Sequence, residues 1–280
     1  VVARYYVKGI ITSKKRESEN VFSHTIYFED SKMLRKLKPG RFVMVWLPGC
    51  DEFPLSPSFY DHVSSTMRLT FRIVGLGTKT LASLNPGQAI FVRGPYGNGF
   101  IMPPITKSSS EKSILVVGGG VGIAPLVPLI RALTSTSLNL HVICGFKSAI
   151  DTFFVDEISK FIGENLTVTT DDGSMGIRGT AIDAVEELLK QKNFFYAFAC
   201  GPEPMLFKLH KMLLNKEVPH QMLLERYVKC ALGVCGSCTI DGLRLCKEGP
   251  VFNDTILRRL SEFGRFKRLA SGIRELIIDS

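Results

Sequence analysis

Through residue 108, apolar and polar side chains alternate in short runs. "RYYVKGII", "HTIYFED", "RFVMVWLP", "MRLTFRIVG" and "AIFVRGP" each repeat with a period near two, and Lys38-Pro39-Gly40 and Asn85-Pro86-Gly87 mark turns between them. That period, with turn residues at the joints, predicts antiparallel strands arranged as a barrel. The stretch "TKSSSEKS" (106–113) reads as a linker. From Ser113 the pattern changes to apolar runs followed by helical segments: "ILVVG", "APLVPLIRALT", "NLHVICG", "TFFVDEISKFI", "LTVTT", "AIDAVEELLKQK", "FFYAFACG" and "PEPMLFKLHKMLLN". Such alternation predicts a doubly wound α/β unit, a parallel sheet with helices on both faces and ligands at the carboxyl ends of the strands. The expected fold is therefore a β-barrel (1–108), an α/β domain (109–220), a small cysteine-bearing domain (221–253) and a tail (254–280).

In the tail, Ile256, Leu260, Phe263, Phe266, Leu269, Ile273 and Ile277 recur at steps of three or four. This predicts one apolar helical stripe, with Gly264 and Gly272 dividing it into two shorter pieces. Arg258, Arg259, Arg265, Lys267 and Arg268 give it a basic face. Three readings stand: packing on its own subunit, docking a partner beside the cysteines, or lying on a membrane surface.

At 280 residues the chain exceeds a typical single core, which agrees with more than one domain. Its longest uncharged run, 113–130, approaches membrane-spanning length but carries four glycines and two prolines, so it reads as strand, loop and helix. The start, "VVARYYVKGIITSKK", alternates like a strand and lacks the pattern of a secretory leader, so a cytoplasmic protein is expected. A net charge of +9 raises the question of nucleic acid, but the basic residues are dispersed and no nucleic-acid motif accompanies them. The histidines, His24, His62, His141, His210 and His220, read as surface or structural residues, and no hydrolase triad or Walker loop is present.

Cysteine usage changes the picture most. Of seven cysteines, Cys230, Cys235, Cys238 and Cys246 fall close together, whereas Cys50, Cys144 and Cys200 are scattered. C-x4-C-x2-C followed by a fourth cysteine is the plant-type spacing for a 2Fe-2S cluster. Gly233 and Gly236 allow the loop to wrap the irons, and Asp241-Gly242 turns the chain back toward Cys246. Structural zinc and the absence of any metal are the alternatives.

Other stretches suggest nucleotide contacts. "VVGGGVGIAP" follows an apolar strand, so Gly118, Gly119, Gly120 and Gly122 would let backbone approach a pyrophosphate, with Pro125 opening the helix. It lacks the final glycine of the dinucleotide fingerprint, and a merely tight turn is the alternative. "FACGPEPML" places Cys200 and Gly201 at a strand end where a nicotinamide would reach, although a free cysteine is more often just a small buried residue. "TDDGSMGIRG" offers Thr170, Asp171, Asp172 and Gly173 for ribose contacts or for ordinary turn chemistry. In the barrel, Gly75, Gly77 and Thr78 precede a short helix and offer amides and a hydroxyl to a phosphate. "RGPYGNGF" is a glycine-rich turn that is as easily structural.

The succession P-x-S, G-x-G-T-x-x-L, GPxGxGF, GGGxGxAP, DDGSxGxxG and CGPxPM resembles the ferredoxin-NADP reductase family. With "CGSC" and "CKEGPVF" added, it is similar to one member group, the electron-transfer subunits of NAD-linked dihydroorotate dehydrogenase, over residues 1 to 253. The resemblance implies an oxidoreductase subunit of pyrimidine biosynthesis that carries FAD and a 2Fe-2S cluster on the four cysteines and uses NAD as co-substrate. It also implies an FMN-containing catalytic partner that oxidises dihydroorotate, in a heterotetramer. The family's R-x-x-S or R-x-Y-S motif puts its serine at the reactive flavin nitrogen and its arginine at the phosphates. Here the segment is Phe53-Pro54-Leu55-Ser56, so Ser56 matches the serine and Phe53 stands at the arginine's place. Thr70-Phe71-Arg72 matches a flavin-contact strand, and Arg72 or Lys79 is expected to assist at the phosphates. Lys147 and Ser148, just past the strand "HVICG", would meet a 2'-phosphate if NADP were used, or else form an ordinary polar loop. Two other functions fit the same parts: the flavin subunit of a hydrogenase or ferredoxin-NAD(P)H oxidoreductase, and a cluster-bearing regulatory or scaffold protein without nicotinamide turnover.

Overall fold

The computed structural model describes residues 6–103, 112–269 and 271–277. The first unit contains β1 (Val7–Arg16), β2 (Val21–Phe28), β3 (Phe42–Trp46), β4 (Phe53–Leu55), β5 (Pro57–Asp61), β6 (Thr66–Arg72), α1 (Leu76–Ser83) and β7 (Ala89–Tyr96). Its strands form one antiparallel, barrel-like sheet in the order β4-β3-β7-β1-β2-β6-β5. Alternate residues such as Ile26 and Phe28, Met67, Leu69 and Phe71, and Ile90 and Val92 fill its core. Two strands, β4 and β5, do not show in the hydrophobic pattern. They carry Pro54 and Pro57, and a proline without an N–H settles on edge strands, where these two lie.

Next come β8 (Ser113–Gly119), α2 (Val127–Thr134), β9 (Asn139–Phe146), α3 (Val155–Ile162), β10 (Leu166–Thr170), β11 (Ile177–Arg178), α4 (Ala181–Gln191), β12 (Tyr196–Cys200), α5 (Glu203–Asn215) and β13 (His220–Leu223). Alternation along β8 shows why helices cover both faces. Ile114 and Val116 join a core with α2 and α3, while Leu115 and Val117 join another with α4 and α5. Pro125 does not open the helix as expected: Gly120–Leu126 first makes a 3-10 turn, and Pro128 stands in the first turn of α2. The expected linker, 106–113, lies outside the described residues except for Lys112 and Ser113.

The cysteine segment leaves this sheet after β13, forms a hairpin of β14 (Thr239–Ile240) and β15 (Leu243–Arg244), and returns as β16 (Val251–Asn253), antiparallel to β13. Both hairpin turn residues have positive φ, Asp241 at 44° and Gly242 at 83°, the requirement of a tight hairpin turn.

The tail departs from its expected helical stripe. A short α6 (Asp254–Leu257) gives way to a hairpin of β17 (Phe266–Arg268) and β18 (Arg274–Leu276). Leu257, Leu260 and Phe263 are buried in the core shared by α5 and the cysteine hairpin, whereas Leu269, Ile273 and Leu276 are exposed. Gly264 and Gly272, both at left-handed φ (72° and 86°), make the turns before and within this hairpin where the helical stripe was expected. Among the described residues no helix is long and apolar enough to cross a membrane.

The two large units are clamped together. Arg68 of β6 donates to both carboxylate oxygens of Glu157 on α3 at 2.9 Å, and its guanidinium lies 4.5 Å from the Phe154 ring centroid. Arg131 of α2 lies 4.9 Å from the ring centroid of Phe59 on β5.

Candidate functional site

Between the barrel and the carboxyl ends of the parallel strands lies a cavity of about 400 Å³. The barrel supplies Phe53, Pro54, Leu55, Ser56, Thr70, Phe71, Arg72 and Thr78, so most of the residues singled out in the barrel converge here. Val121 and Pro125 close it from the glycine loop, and Leu223 to Val228 form a third wall. Gly77 stands behind Phe53: a Cβ there would lie 2.6 Å from the Phe53 ring, so only glycine leaves room for it. The Thr78 hydroxyl is not aimed at a ligand. It accepts from the amides of Val74 (2.9 Å) and Gly75 (3.1 Å) and thereby closes its own turn. Thr70 is likewise tied back, to the Ser23 and Ser58 hydroxyls at 2.7 and 2.8 Å.

Arg72 is the cation that remains. It is exposed, its side chain has no hydrogen bond among the described residues, and it lines both this cavity and the next. Lys79 lines neither cavity. Glu225 lines the same cavity and feels the pull of the Arg72 guanidinium.

The second cavity, about 640 Å³, opens over the ends of β8, β9 and β12 and is lined by Gly119, Gly120, Phe146, Lys147, Asp151, Asp171, Pro202, Met205 and others. Gly118, Gly122, Cys200 and Gly201 sit just beneath it. A Cβ on Gly122 would stand 2.6 Å from the Cys200 carbonyl oxygen and the Gly201 Cα, so the two nucleotide segments pack backbone to backbone. Cys200 is buried, and burial, then Glu225, holds its thiol protonated; this is the small buried cysteine rather than a group facing the cleft. Asp172 does not reach the cleft either. Its carboxylate accepts from the Ser174 amide (3.0 Å) and hydroxyl (2.5 Å), and Asp171 lines the cavity instead. The Ser148 hydroxyl is committed to Asp151 at 2.9 Å, leaving Lys147 at the cleft.

The cysteine loop is built as two pairs. Cys235 stands beside Cys230, and Cys238 beside Cys246. Gly233 and Gly236, both at φ 74°, make the bends that bring them round. Amides point at sulfur: Leu232 N–H to Cys230 Sγ at 3.3 Å and Gly233 N–H to Cys246 Sγ at 3.2 Å. Burial opposes ionisation of Cys230, but hydrogen bonds from the Cys235, Leu232 and Val234 amides and the Cys235 thiol outweigh it and bring the thiol down to about 6. Cys246 is pushed up to about 12 by burial and by the Cys238 thiol. Among the described residues, no three His, Cys, Asp or Glu side chains converge on one ion position.

Sequence reasoning missed what holds this loop in place. Arg93 of β7 donates from Nε (2.5 Å) and Nη2 (2.6 Å) to the Glu52 carboxylate, from Nη1 to the Tyr96 hydroxyl (2.8 Å), and from Nη2 to the Cys230 carbonyl (3.1 Å). Its pKa is raised, chiefly by Glu52, and that of Glu52 is lowered, because hydrogen bonds from Arg93 and Tyr6 outweigh burial. The turn after β7 grips the far end: the Asn98 amide donates to the Gly249 carbonyl at 2.6 Å and its side chain to the carbonyls of Lys247 and Glu248. No spacing rule marks Glu52, Arg93, Asn98 or Glu225, since each works through contacts remote in sequence.

A barrel and a parallel α/β unit with two cavities at their junction, joined to a four-cysteine loop, form a ferredoxin reductase-like fold with a cysteine-bearing segment. Residues 225–257 match the family described as the iron-sulfur cluster binding domain of dihydroorotate dehydrogenase B. A Methanothermobacter thermautotrophicus protein named "probable dihydroorotate dehydrogenase B (NAD(+)), electron transfer subunit" is 40% identical over 242 residues, 86% of this chain and 87% of the relative. An Archaeoglobus fulgidus protein of the same name is 38% identical over 89% of this chain and 97% of its own. Among solved structures, an NADH-dependent reduced ferredoxin-NADP oxidoreductase matches with a TM-score of 0.77 and 28% identity, covering 91% of this chain and 93% of the other. A Neisseria gonorrhoeae ferredoxin NADP+ reductase with bound FAD and NADP shares the fold at a TM-score of 0.62, 16% identity, and 76% and 92% coverage. The chain belongs to the family of dihydroorotate dehydrogenase B electron-transfer subunits.

Proposed function

We propose that this subunit carries electrons between a catalytic partner and NAD through a 2Fe-2S cluster and FAD. The observation that carries the reading is the two-plus-two cysteine loop attached directly to the wall of the barrel cavity. In a 2Fe-2S centre each iron takes two protein thiolates, and the centre passes one electron at a time, whereas a nicotinamide exchanges two as a hydride. FAD, when bound, supplies the conversion between the two regimes.

The donor set fits the cluster, with four thiols in pairs, amides directed at sulfur and Cys230 ready to ionise. The barrel cavity fits a flavin, with Phe53 to Ser56 and Thr70 to Arg72 as walls. Arg72 would take the phosphate role that the family gives to an arginine at the place of Phe53, with Ser56 beside the reactive ring edge. The amides of Gly119 and Gly120, with Lys147 and Asp171, would hold the dinucleotide. Asp151 and Asp171 flank Lys147, a carboxylate-rich setting that suits a free ribose better than a 2'-phosphate. Residues 1–108, 109–220 and 221–253 would serve as flavin, nucleotide and cluster units. The partner would be an FMN-containing dihydroorotate oxidoreductase, two copies of each chain assembling together in pyrimidine biosynthesis.

Co-expression with such a partner tests this: the purified complex should reduce NAD+ with dihydroorotate. The likeness to the ferredoxin-NADP oxidoreductase structure favours a second reading, in which reduced ferredoxin is the electron donor. Turnover with ferredoxin and none with dihydroorotate would select it.

A further inference from the structure

Arg93 reaches across β3 from β7 to Glu52, at the foot of β4, and the residue is buried at 8% exposure. Glu52 lines the flavin cavity, and the same guanidinium binds the carbonyl of Cys230, the first cysteine of the loop. All three of its nitrogens are used, on groups from three separate parts of the chain. Arg244 pins the loop from the other side, through the Gly233 carbonyl at 2.8 Å, but belongs to the cysteine segment itself. Arg93 is thus the buried charged contact that spans from the flavin cavity wall to a cluster-ligand backbone.

We propose that Arg93 is a positioning residue for electron transfer between flavin and cluster: it fixes the Cys230 end of the loop against the flavin wall. A planar guanidinium does this as an ammonium cannot, because its fork takes both oxygens of Glu52 while one nitrogen still reaches the carbonyl. Glu52 neutralises it, so the contact places no unpaired charge between the two cofactors. The proposal rests on the reading of FAD and cluster as the resident cofactors.

The test uses the full-length holoprotein and its variants Arg93→Met, Arg93→Lys and Glu52→Gln/Arg93→Met, the last removing both charges so that no carboxylate is left buried alone. In rapid mixing with NADH, each NADH leaves as NAD+ after giving up a hydride. Of those two electrons, one reduces a cluster iron from ferric to ferrous and the other stays at the flavin. The ratio of the cluster phase to the flavin phase is expected to fall about 10-fold in Arg93→Met and in the double variant, and less in Arg93→Lys. Independently of turnover, amide exchange across Cys230–Gly236 is expected to quicken in the first two, and the paramagnetic signal of the reduced cluster to broaden. A constant phase ratio, or exchange at the wild-type rate in the double variant, overturns the proposal. Wild-type protein lacking iron would instead overturn the cofactor reading on which it stands.

Discussion

The cysteine loop and the barrel cavity lie side by side, share Arg93 as a support, and are encoded in opposite ways. The loop depends on residue identity: four thiols at fixed spacing, two glycines with positive φ, and amides aimed at sulfur. The cavity depends on packing: a phenylalanine seated against a glycine, hydroxyls committed to neighbouring strands and turns, and walls from three segments far apart in sequence. A loop of the first kind fails all at once when one atom changes. A cavity of the second kind degrades by degrees.

Cys238→Ser sharpens the contrast most. It removes one thiol of the Cys238–Cys246 pair, and the iron content of the purified protein is expected to fall to background while flavin is retained. Gly122→Ala comes next, because the new Cβ would sit 2.6 Å from the Cys200 carbonyl oxygen. Separating the glycine loop from β12 is expected to lower stability by about 3 kcal/mol and to abolish NADH binding, read by denaturant unfolding and by titration. Phe53→Arg tests the cavity directly. The ring fills the space over Gly77, so restoring the family's arginine is expected to weaken FAD retention about 10-fold rather than strengthen it, as measured by flavin release on dilution.

A further effect concerns a joint outside both regions. His210 of α5 and His220 of β13 are buried and share a hydrogen bond at 2.7 Å, and His220 also bonds the Val218 carbonyl. Burial, then His220, lowers the pKa of His210 from 6.5 to about 4. Between those values the unfolded chain binds a proton that the folded chain refuses, so stability falls as pH drops from 6.5 and levels off below about 4. One such histidine contributes up to roughly 3 kcal/mol to that loss. In His210→Gln the slope of unfolding free energy against pH in this window should flatten.

The same contrast explains what the chain disclosed before it was seen folded. Apolar alternation located most strands and all the long helices, because burial on one or two sheet faces leaves a periodic trace, as along β8. The cysteines were legible because a cluster tolerates few spacings. Pro54 and Pro57 hid β4 and β5, since edge strands need neither regular alternation nor every N–H. The tail misled because apolar residues at helical steps also serve a buried turn followed by a hairpin. There Gly264, packed against Phe207, and the buried Glu203–Arg226 pair hold the chain in its course. Truncation after Asn253 would strip Leu257, Leu260 and Phe263 from the core that contains Cys238 and Cys246, so loss of the cluster is expected, not only of a docking surface. Glu52, Arg93 and Glu225 left no trace because their partners are distant in sequence.

The most direct test of the account is an anaerobic assay of iron, sulfide and flavin on the full chain, followed by electron paramagnetic resonance after NADH addition. The account predicts two irons, two sulfides and one FAD for each chain, with a reduced-cluster signal that appears only after the flavin has been bleached. Stoichiometric zinc without iron, or flavin bleached by NADH beside an intact cluster that stays oxidised, would contradict it.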